Sequence, residues 1–320
     1  MAYANSLGPS RYALTMGVVA ALLAGCGGSQ PPVGASGALP LLRDLPAGGD
    51  QVQYVSADPG IAEFDYPKSD SQIHYRHLGH KSYAECSKGS QTFWVVEENS
   101  HQVVEFAASR KKIAQPIKTL AVPVGSSPYA APWDCAVDPT TGNLAVSVAD
   151  TSSVVIFANG SGSGQTISDT MGGTGWSAYD AQGNLFVQGF KNHKPALVEL
   201  PKGQTQFQEI SLPSTITTLS TLGCCTIRWD GTYLAWLNTD GFIVYRLNIN
   251  GNQAYIEDTV TLSKGSLCAW FGIWAEAGLF FCGTEGKYVN VYDYPAGGSP
   301  IAMLGPLKVG EAVGVVSLQP

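Results

Sequence analysis

Short apolar runs with alternating polar residues recur along the chain from residue 50 onward. Each run is rich in β-branched residues and ends in an aromatic residue or leucine, often before a Gly, Pro or Asn turn, as β-strands do. Six runs share this form: IAEFDYP (61–67), VVEFAAS (103–109), VVIFANG (154–160), LVELPKG (197–203), VYRLNING (244–251) and VNVYDYP (289–295). The equivalent positions of the six runs are 42, 51, 43, 47 and 45 residues apart: Phe64, Phe106, Phe157, Leu200, Leu247 and Tyr292. A period of roughly 40–50 residues predicts a propeller or a solenoid.

Each repeat is predicted to hold four short strands joined by tight turns. The third repeat shows the order most clearly: WDCAVD (133–138), then Asn143 to Val148, then VVIF (154–157), then TISD (166–169). Asp and Asn side chains bond the backbone of their own turns, and Gly adopts a positive φ there. Asp138, Asp180 and Asp230 recur at one position of their repeats. We interpret them as turn-capping residues rather than catalytic acids.

The two ends of the repeat array are incomplete in complementary ways. The first repeat, residues 51–64, lacks a first strand, whereas the chain finishes with an additional strand, EAVGVVSL (311–318). A C-terminal strand that completes the first repeat would close the array into a ring and protect a free strand edge. We therefore predict an all-β fold, a six-bladed β-propeller over residues 50–320 whose C-terminal strand closes the first blade. A two-sheet sandwich is the alternative, although sandwiches rarely repeat at this period.

The N-terminal segment has the features of an export signal. Arg11 precedes an apolar stretch from Tyr12 to Gly25, which is shorter than the roughly 20 residues that span a bilayer and is typical of a secretory signal. Leu23-Ala24-Gly25-Cys26 resembles a bacterial lipobox. This resemblance implies a signal peptide over residues 1–25 and an acylated Cys26 that anchors the protein to membrane lipid. An ordinary cleaved signal is the alternative.

Residues 26–49 follow as a segment rich in Gly, Ser and Pro, without an apolar period. Such a composition predicts a flexible tether between an anchor and a domain. We expect an exported protein, anchored by lipid in the bacterial cell envelope on its periplasmic or cell-surface face.

The third repeat also resembles an NHL repeat. The matching residues are Asp138, Gly142-Asn143-Leu144-Ala145-Val146, Ala149-Asp150 and Val155-Ile156-Phe157. The superfamily of six-bladed propellers with such repeats includes virginiamycin B lyase-like and gluconolactonase-like proteins, and the chain is similar to uncharacterised bacterial lipoproteins built in this way. Because the motif residues form turns, the resemblance indicates the fold and carries little information about function.

Composition limits the partners of the chain. Gly (37 residues) and Pro (19 residues) are abundant, which disfavours helices. The formal net charge is −7 and charged residues make up only 13% of the chain. A polyanion requires a basic surface, so we expect no nucleic-acid partner.

Six cysteines remain when Cys26 is assigned to lipid: Cys86, Cys135, Cys224, Cys225, Cys268 and Cys282. An even number in an exported protein favours disulfides, although sequence alone leaves 15 pairings open. Cys268 and Cys282 flank a predicted turn symmetrically, and Cys86 and Cys135 lie in the first strands of adjacent blades. Buried free thiols are the alternative. A metal site is a weaker alternative than buried free thiols, because the chain has no C-x-x-C pair.

Propellers usually bind ligands at the mouth of the central channel, which the segments entering each first strand surround. Here those segments supply six candidate ligand-binding residues: Glu85, Trp133, Asp134, Trp176, Trp270 and Glu311. Aromatic faces with a few convergent polar groups suit a sugar, a peptide or a small cation. Packing between blades is the alternative role for each tryptophan.

Residue sets for catalysis are sparse. Gluconolactonase-like proteins bind a divalent metal through Glu and Asn or Asp ligands. Glu85 and Asp134 match such roles, but no Asn pair follows at the other blade entrances. Virginiamycin B lyase-like proteins rely on a channel-mouth His, and no His lies in the entering segments of blades three to six. His74, His77 and His80 would share a face only on a helix, whereas the pattern predicts a strand or loop.

We therefore predict no catalytic residue, no bound metal and no cofactor. The leading hypothesis is a propeller that acts as a binding or scaffolding module, with an envelope protein or a glycan as its ligand. The alternative is a metal-dependent lyase or lactone hydrolase acting at the channel mouth. A third hypothesis is a structural partner within an envelope complex.

Overall fold

Six separate antiparallel sheets of four strands each make up the described part of the chain in the computed structural model. The structure describes residues 53–317 apart from 58, 67, 80, 88, 90, 110–113, 218–225, 239–241, 264–267, 269, 284–285 and 308–311. The predicted signal peptide (1–25), the predicted acylation site Cys26 and the predicted tether (26–49) lie outside the described residues. So do Cys224, Cys225 and Glu311.

Each sheet is one blade of the propeller, and the strands follow the chain. Blade 1 contains β1 (Gln53–Ala57), β2 (Gly60–Phe64), β3 (Gln72–His77) and β24 (Ala312–Ser317). Blade 2 contains β4 (Ser82–Ser87), β5 (Thr92–Glu97), β6 (Gln102–Ala107) and β7 (Gln115–Ala121). Blade 3 contains β8 (Ala131–Val137), β9 (Leu144–Ala149), β10 (Ser153–Phe157) and β11 (Gln165–Ser168).

The remaining blades repeat this plan. Blade 4 contains β12 (Gly173–Tyr179), β13 (Leu185–Lys191), β14 (Lys194–Leu200) and β15 (Gln208–Ile210). Blade 5 contains β16 (Ile227–Trp229), β17 (Leu234–Asn238), β18 (Ile243–Asn250) and β19 (Gln253–Thr261). Blade 6 contains β20 (Trp270–Trp274), β21 (Leu279–Gly283), β22 (Val289–Asp293) and β23 (Gly297–Leu304). A one-turn helix α1 (Ser214–Thr217) follows blade 4.

Burial changes systematically from the middle of each blade to its outer edge. The second strands, such as β9 and β21, are buried almost throughout, because neighbouring blades cover both of their faces. They therefore read as continuous apolar runs rather than alternating ones. The outermost strand β7 is exposed at nearly every position. Packing between blades, and not one central core, thus holds the ring together.

The C-terminal strand closes the ring, as predicted. The order of the first sheet is β24-β1-β2-β3, so β24 is the inner strand of blade 1. It pairs antiparallel with β1, with Val315 opposite Val55 and Val316 opposite Tyr54. The first blade is therefore built from both ends of the array, which confirms the predicted six-bladed propeller and its closure.

The recurring aspartates cap turns, as their position predicted. Oδ1 of Asp180 accepts hydrogen bonds from the backbone N–H groups of Gln182 (2.9 Å) and Asn184 (2.8 Å). Asp138 makes the same kind of contacts in blade 3 and Asp230 in blade 5. Each buried carboxylate thus accepts hydrogen bonds from the backbone N–H groups of its own turn and fixes the turn's conformation.

Two disulfides are present among the described cysteines. Cys86 of β4 bonds Cys135 of β8 and so links blades 2 and 3, with Cα atoms 5.7 Å apart. Cys268 bonds Cys282 of β21 within blade 6. Both pairs are those that the spacing had suggested. Disulfides persist in oxidising compartments, so they indicate an exported protein.

Candidate functional site

A cavity of about 240 Å³ lies at one end of the central channel. Its wall comes from the ends of five inner strands, β4, β8, β12, β16 and β20: Glu85, Cys86, Ser87, Cys135, Ala136, Val137, Ser177, Ala178, Tyr179, Arg228, Trp229, Gly272 and Ile273, with Gly89. These strands finish at the turns that lead to the second strand of each blade. The cavity is therefore at the opposite end from the predicted mouth, where the inner strands begin.

An ion pair beside this cavity ties three blades together. Nη1 of Arg228 lies 3.0 Å from Oδ2 of Asp134, and Nη2 lies 2.9 Å from Oδ1. The backbone N–H of Ser177 donates to the same carboxylate at 2.7 Å. Asp134 belongs to blade 3, Ser177 to blade 4 and Arg228 to blade 5. A single carboxylate thus joins three consecutive inner strands.

The surroundings of Asp134 act on its pKa in opposite directions. Its side chain is fully buried, and loss of hydration is the largest influence, which raises the pKa above the ordinary value. The Arg228 charge and the Ser177 N–H group oppose this effect because they favour the ionised form. A carboxylate with this many internal partners serves as a tie between blades.

Glu85 occupies the cavity wall, next to the disulfide. It is 2% exposed and immediately precedes Cys86, just as Asp134 immediately precedes Cys135. The disulfide therefore brings the strands that carry the two predicted acidic residues together. Among the five candidates that the structure describes, Glu85 is the one that lines this cavity.

The predicted tryptophans divide into a pair and a separate residue. Trp133 and Trp176 form an edge-to-face contact with ring centroids 6.1 Å apart. Trp176 is 8% exposed and Trp133 is half-buried. Both lie where a bulge interrupts the pairing of the inner strand with its neighbour. Trp270, at the start of β20, is half-buried and belongs to another blade.

The histidines do not converge within the described residues. Nδ1 of His74 lies 2.9 Å from Oε2 of the buried Glu63, whereas His77 ends β3 and is exposed. His101 and His193 lie in exposed turns. Among the residues that the structure describes, no group of three His, Cys, Asp or Glu side chains is arranged to hold a metal ion.

Sequence reasoning missed Arg228, although the chain contained a signal for it. Arg228 stands two residues before the turn aspartate of blade 5, and the matching residues of blades 3 and 4 are Ala136 and Ala178. A charged residue inside an apolar inner strand requires a buried partner. The position of Arg228 alone would therefore have indicated an acidic residue on a neighbouring inner strand.

Comparisons with known proteins support the fold and identify no family. No protein-family model and no curated protein matches the sequence. A chain from the crystal structure of a nidogen/laminin complex matches with a TM-score of 0.61 and 10% identity, over 85% of this chain and 100% of that one. A functionally unknown protein from Desulfotomaculum acetoxidans DSM 771 matches with a TM-score of 0.55, 10% identity and the same coverage.

Proposed function

We propose that this protein is lipid-anchored in the bacterial cell envelope and that its propeller is a binding or scaffolding module without catalytic activity. Its ligand is an envelope protein or a glycan. We also propose that the chain is an NHL-repeat propeller of the virginiamycin B lyase-like superfamily. The turn residues from Asp138 to Asn143 support this placement, because they make the turn contacts that the repeat pattern implies.

The state of Asp134 is the observation that carries the non-catalytic proposal. A residue that binds a metal or transfers a proton must present a lone pair to the substrate or to an ion. Both oxygens of Asp134 instead accept hydrogen bonds from Arg228. One of the two acids best placed for channel chemistry is thus engaged in joining blades.

The anchor is supported by the lipobox-like Leu23-Ala24-Gly25-Cys26 sequence and by the two disulfides, which suit an exported chain. Within the described residues, no helix is both long and apolar enough to cross a bilayer. Two or more acyl chains on Cys26 would suffice for stable anchoring, since each buried methylene contributes about 0.8 kcal/mol.

Metabolic labelling of bacteria with a fatty-acid analogue tests the anchor. We expect label on the wild-type chain, none on Cys26→Ser, and unchanged labelling of Ser29→Ala as the matched control. An unlabelled wild-type chain, or a labelled Cys26→Ser chain, would contradict the anchoring proposal.

The binding proposal is tested on the full-length chain in detergent. After crosslinking in cells, co-purifying envelope proteins and bound carbohydrate are quantified for the wild type, Trp133→Ala and Tyr255→Ala. Tyr255 is an exposed aromatic on β19, and its variant should behave as the wild type does. We expect a stoichiometric partner that Trp133→Ala loses. A partner retained equally by both variants would refute a mouth that uses the Trp133–Trp176 pair.

The alternative is a metal-dependent lyase or lactone hydrolase, and one observation favours it: Glu85 lies in the wall of a cavity. Metal analysis of the purified full-length chain decides between the two. A stoichiometric divalent ion that Glu85→Gln removes would support the enzyme and exclude the non-catalytic proposal.

A further inference from the structure

The two disulfides lie in different surroundings. Both Cys86 and Cys135 belong to the wall of the channel cavity, and Cys86 is 8% exposed. Cys268 and Cys282 are fully buried in a cluster with Phe271, Phe280 and other apolar side chains of blades 5 and 6. The first pair thus borders the channel cavity, whereas apolar side chains enclose the second.

We propose that the Cys86–Cys135 bond is a thiol-exchange site, at which a small thiol enters the channel cavity and reduces the bond while Cys268–Cys282 stays oxidised. The cavity of about 240 Å³ is smaller than the roughly 300–1,000 Å³ that hold drug-sized ligands. We therefore expect it to admit a low-molecular-weight thiol more readily than the active site of a protein reductase. This inference does not depend on the proposed function.

The exchange consumes two thiol groups. A thiolate attacks Sγ of Cys86, the more exposed partner, and the Sγ–Sγ bond breaks as Cys135 leaves as a thiolate and takes up a proton from water. A second thiol of the reductant then attacks the mixed disulfide at its own sulfur and releases Cys86. The protein disulfide is reduced to two thiols, and the reductant is oxidised to its disulfide.

Reduction removes the covalent link between blades 2 and 3 while their packing remains. The sheets that contain β4 and β8 share no backbone ladder, so the disulfide joins their inner strands directly. Trp94, Leu144 and Val146 pack in the same cluster as the two cysteines and would keep the blades in contact. We expect faster hydrogen exchange in β4 and β8, and unchanged exchange in β21.

Differential alkylation of the full-length chain tests the site. Free thiols are blocked first, the protein is treated with dithiothreitol under native conditions, and newly formed thiols are alkylated with an isotopic reagent and quantified by peptide mass spectrometry. We expect Cys86 and Cys135 to become labelled at least fivefold faster than Cys268 and Cys282. A smaller ratio, or the opposite order, would overturn the proposal.

Two further measurements establish the route. Ser87→Leu narrows the cavity beside Cys86 and should slow labelling of Cys86–Cys135 severalfold, whereas Ser168→Leu, at an exposed position of β11, should not. A thioredoxin-type protein dithiol, too large for the cavity, should reduce this bond more slowly than dithiothreitol does at equal thiol concentration. If Ser87→Leu folds and leaves the rate unchanged, or if the protein dithiol is as fast, the channel is not the route.

Discussion

Removal of one partner of the ion pair between Asp134 and Arg228 should strongly destabilise the inner ring. Asp134 is fully buried and the Arg228 side chain is 17% exposed, so removal of either partner leaves a poorly hydrated charge. Breaking a buried pair in this way costs about 3–5 kcal/mol, against a total of about 5–15 kcal/mol for a typical protein. Asp134→Ala and Arg228→Ala should each show this loss.

A double-mutant cycle in urea, followed by tryptophan fluorescence, measures the interaction. The double variant Asp134→Ala/Arg228→Ala lacks both charges. We therefore expect its loss of unfolding free energy to be smaller than the sum of the two single losses by at least about 2 kcal/mol. The exposed pair Lys191–Glu209, with side chains 39% and 54% exposed, is the control and should couple by less than about 1 kcal/mol. Equal coupling energies for the two pairs would refute the claim that Asp134 ties the blades together.

One deletion and two substitutions test further contributions to the stability of the ring. Deletion of residues 309–320 removes β24, so the melting temperature measured by circular dichroism should fall by about 10 °C or more; an unchanged melt would contradict closure. Burial raises the pKa of Asp230, but hydrogen bonds from Arg246 and neighbouring donors outweigh it and hold the pKa below its usual value. The ionised form therefore stabilises the fold above about pH 4 and loses this effect as the pH falls through the lowered pKa. Asp230→Asn should lower the free energy of unfolding by about 1.5–3 kcal/mol at pH 7. Denaturant titrations should show a smaller loss near pH 2, and equal losses at the two pH values would contradict a stabilising role of the ionised form. At Gly183 (φ +90°), a Cβ atom would lie 2.9 Å from a threonine hydroxyl and 3.0 Å from the carboxylate of the blade 3 turn. Gly183→Ala should therefore destabilise by about 1–3 kcal/mol in the same titrations, more than Gly203→Ala, which has a similar φ and open space; equal losses would show that the contact is unimportant.

The propeller could be predicted from the sequence because its information is local and repeated. Each blade encodes its own strands and turns, as Asp180 shows by capping a turn with its nearest neighbours. The closure of the first blade could also be predicted, because the missing first strand and the additional last strand complement each other. The spacing of the cysteines suggested both disulfide pairs, although the sequence left the other pairings open.

The candidate site was harder to predict because it depends on the rotation of one blade relative to the next. Asp134 and Arg228 are 94 residues apart, and no local pattern links them. The pattern of polar and apolar residues within β8 does not reveal whether Asp134 faces water or another inner strand. Its position in an entering segment therefore suggested a ligand-binding residue, whereas its oxygens contact two neighbouring blades. The position of the cavity likewise depends on side chains from five strands.

The pairing of β24 with β1 has a consequence for the order of events in biogenesis. The two strands that complete blade 1 are separated by about 260 residues, with Val55 opposite Val315. A ribosome makes the chain from its N-terminus, so the nascent polypeptide lacks this partner of β1 until the five blades between them have been synthesised. Such long-range contacts form late and slowly. Closure of the ring therefore waits until β24 (Ala312–Ser317) has emerged from the ribosome.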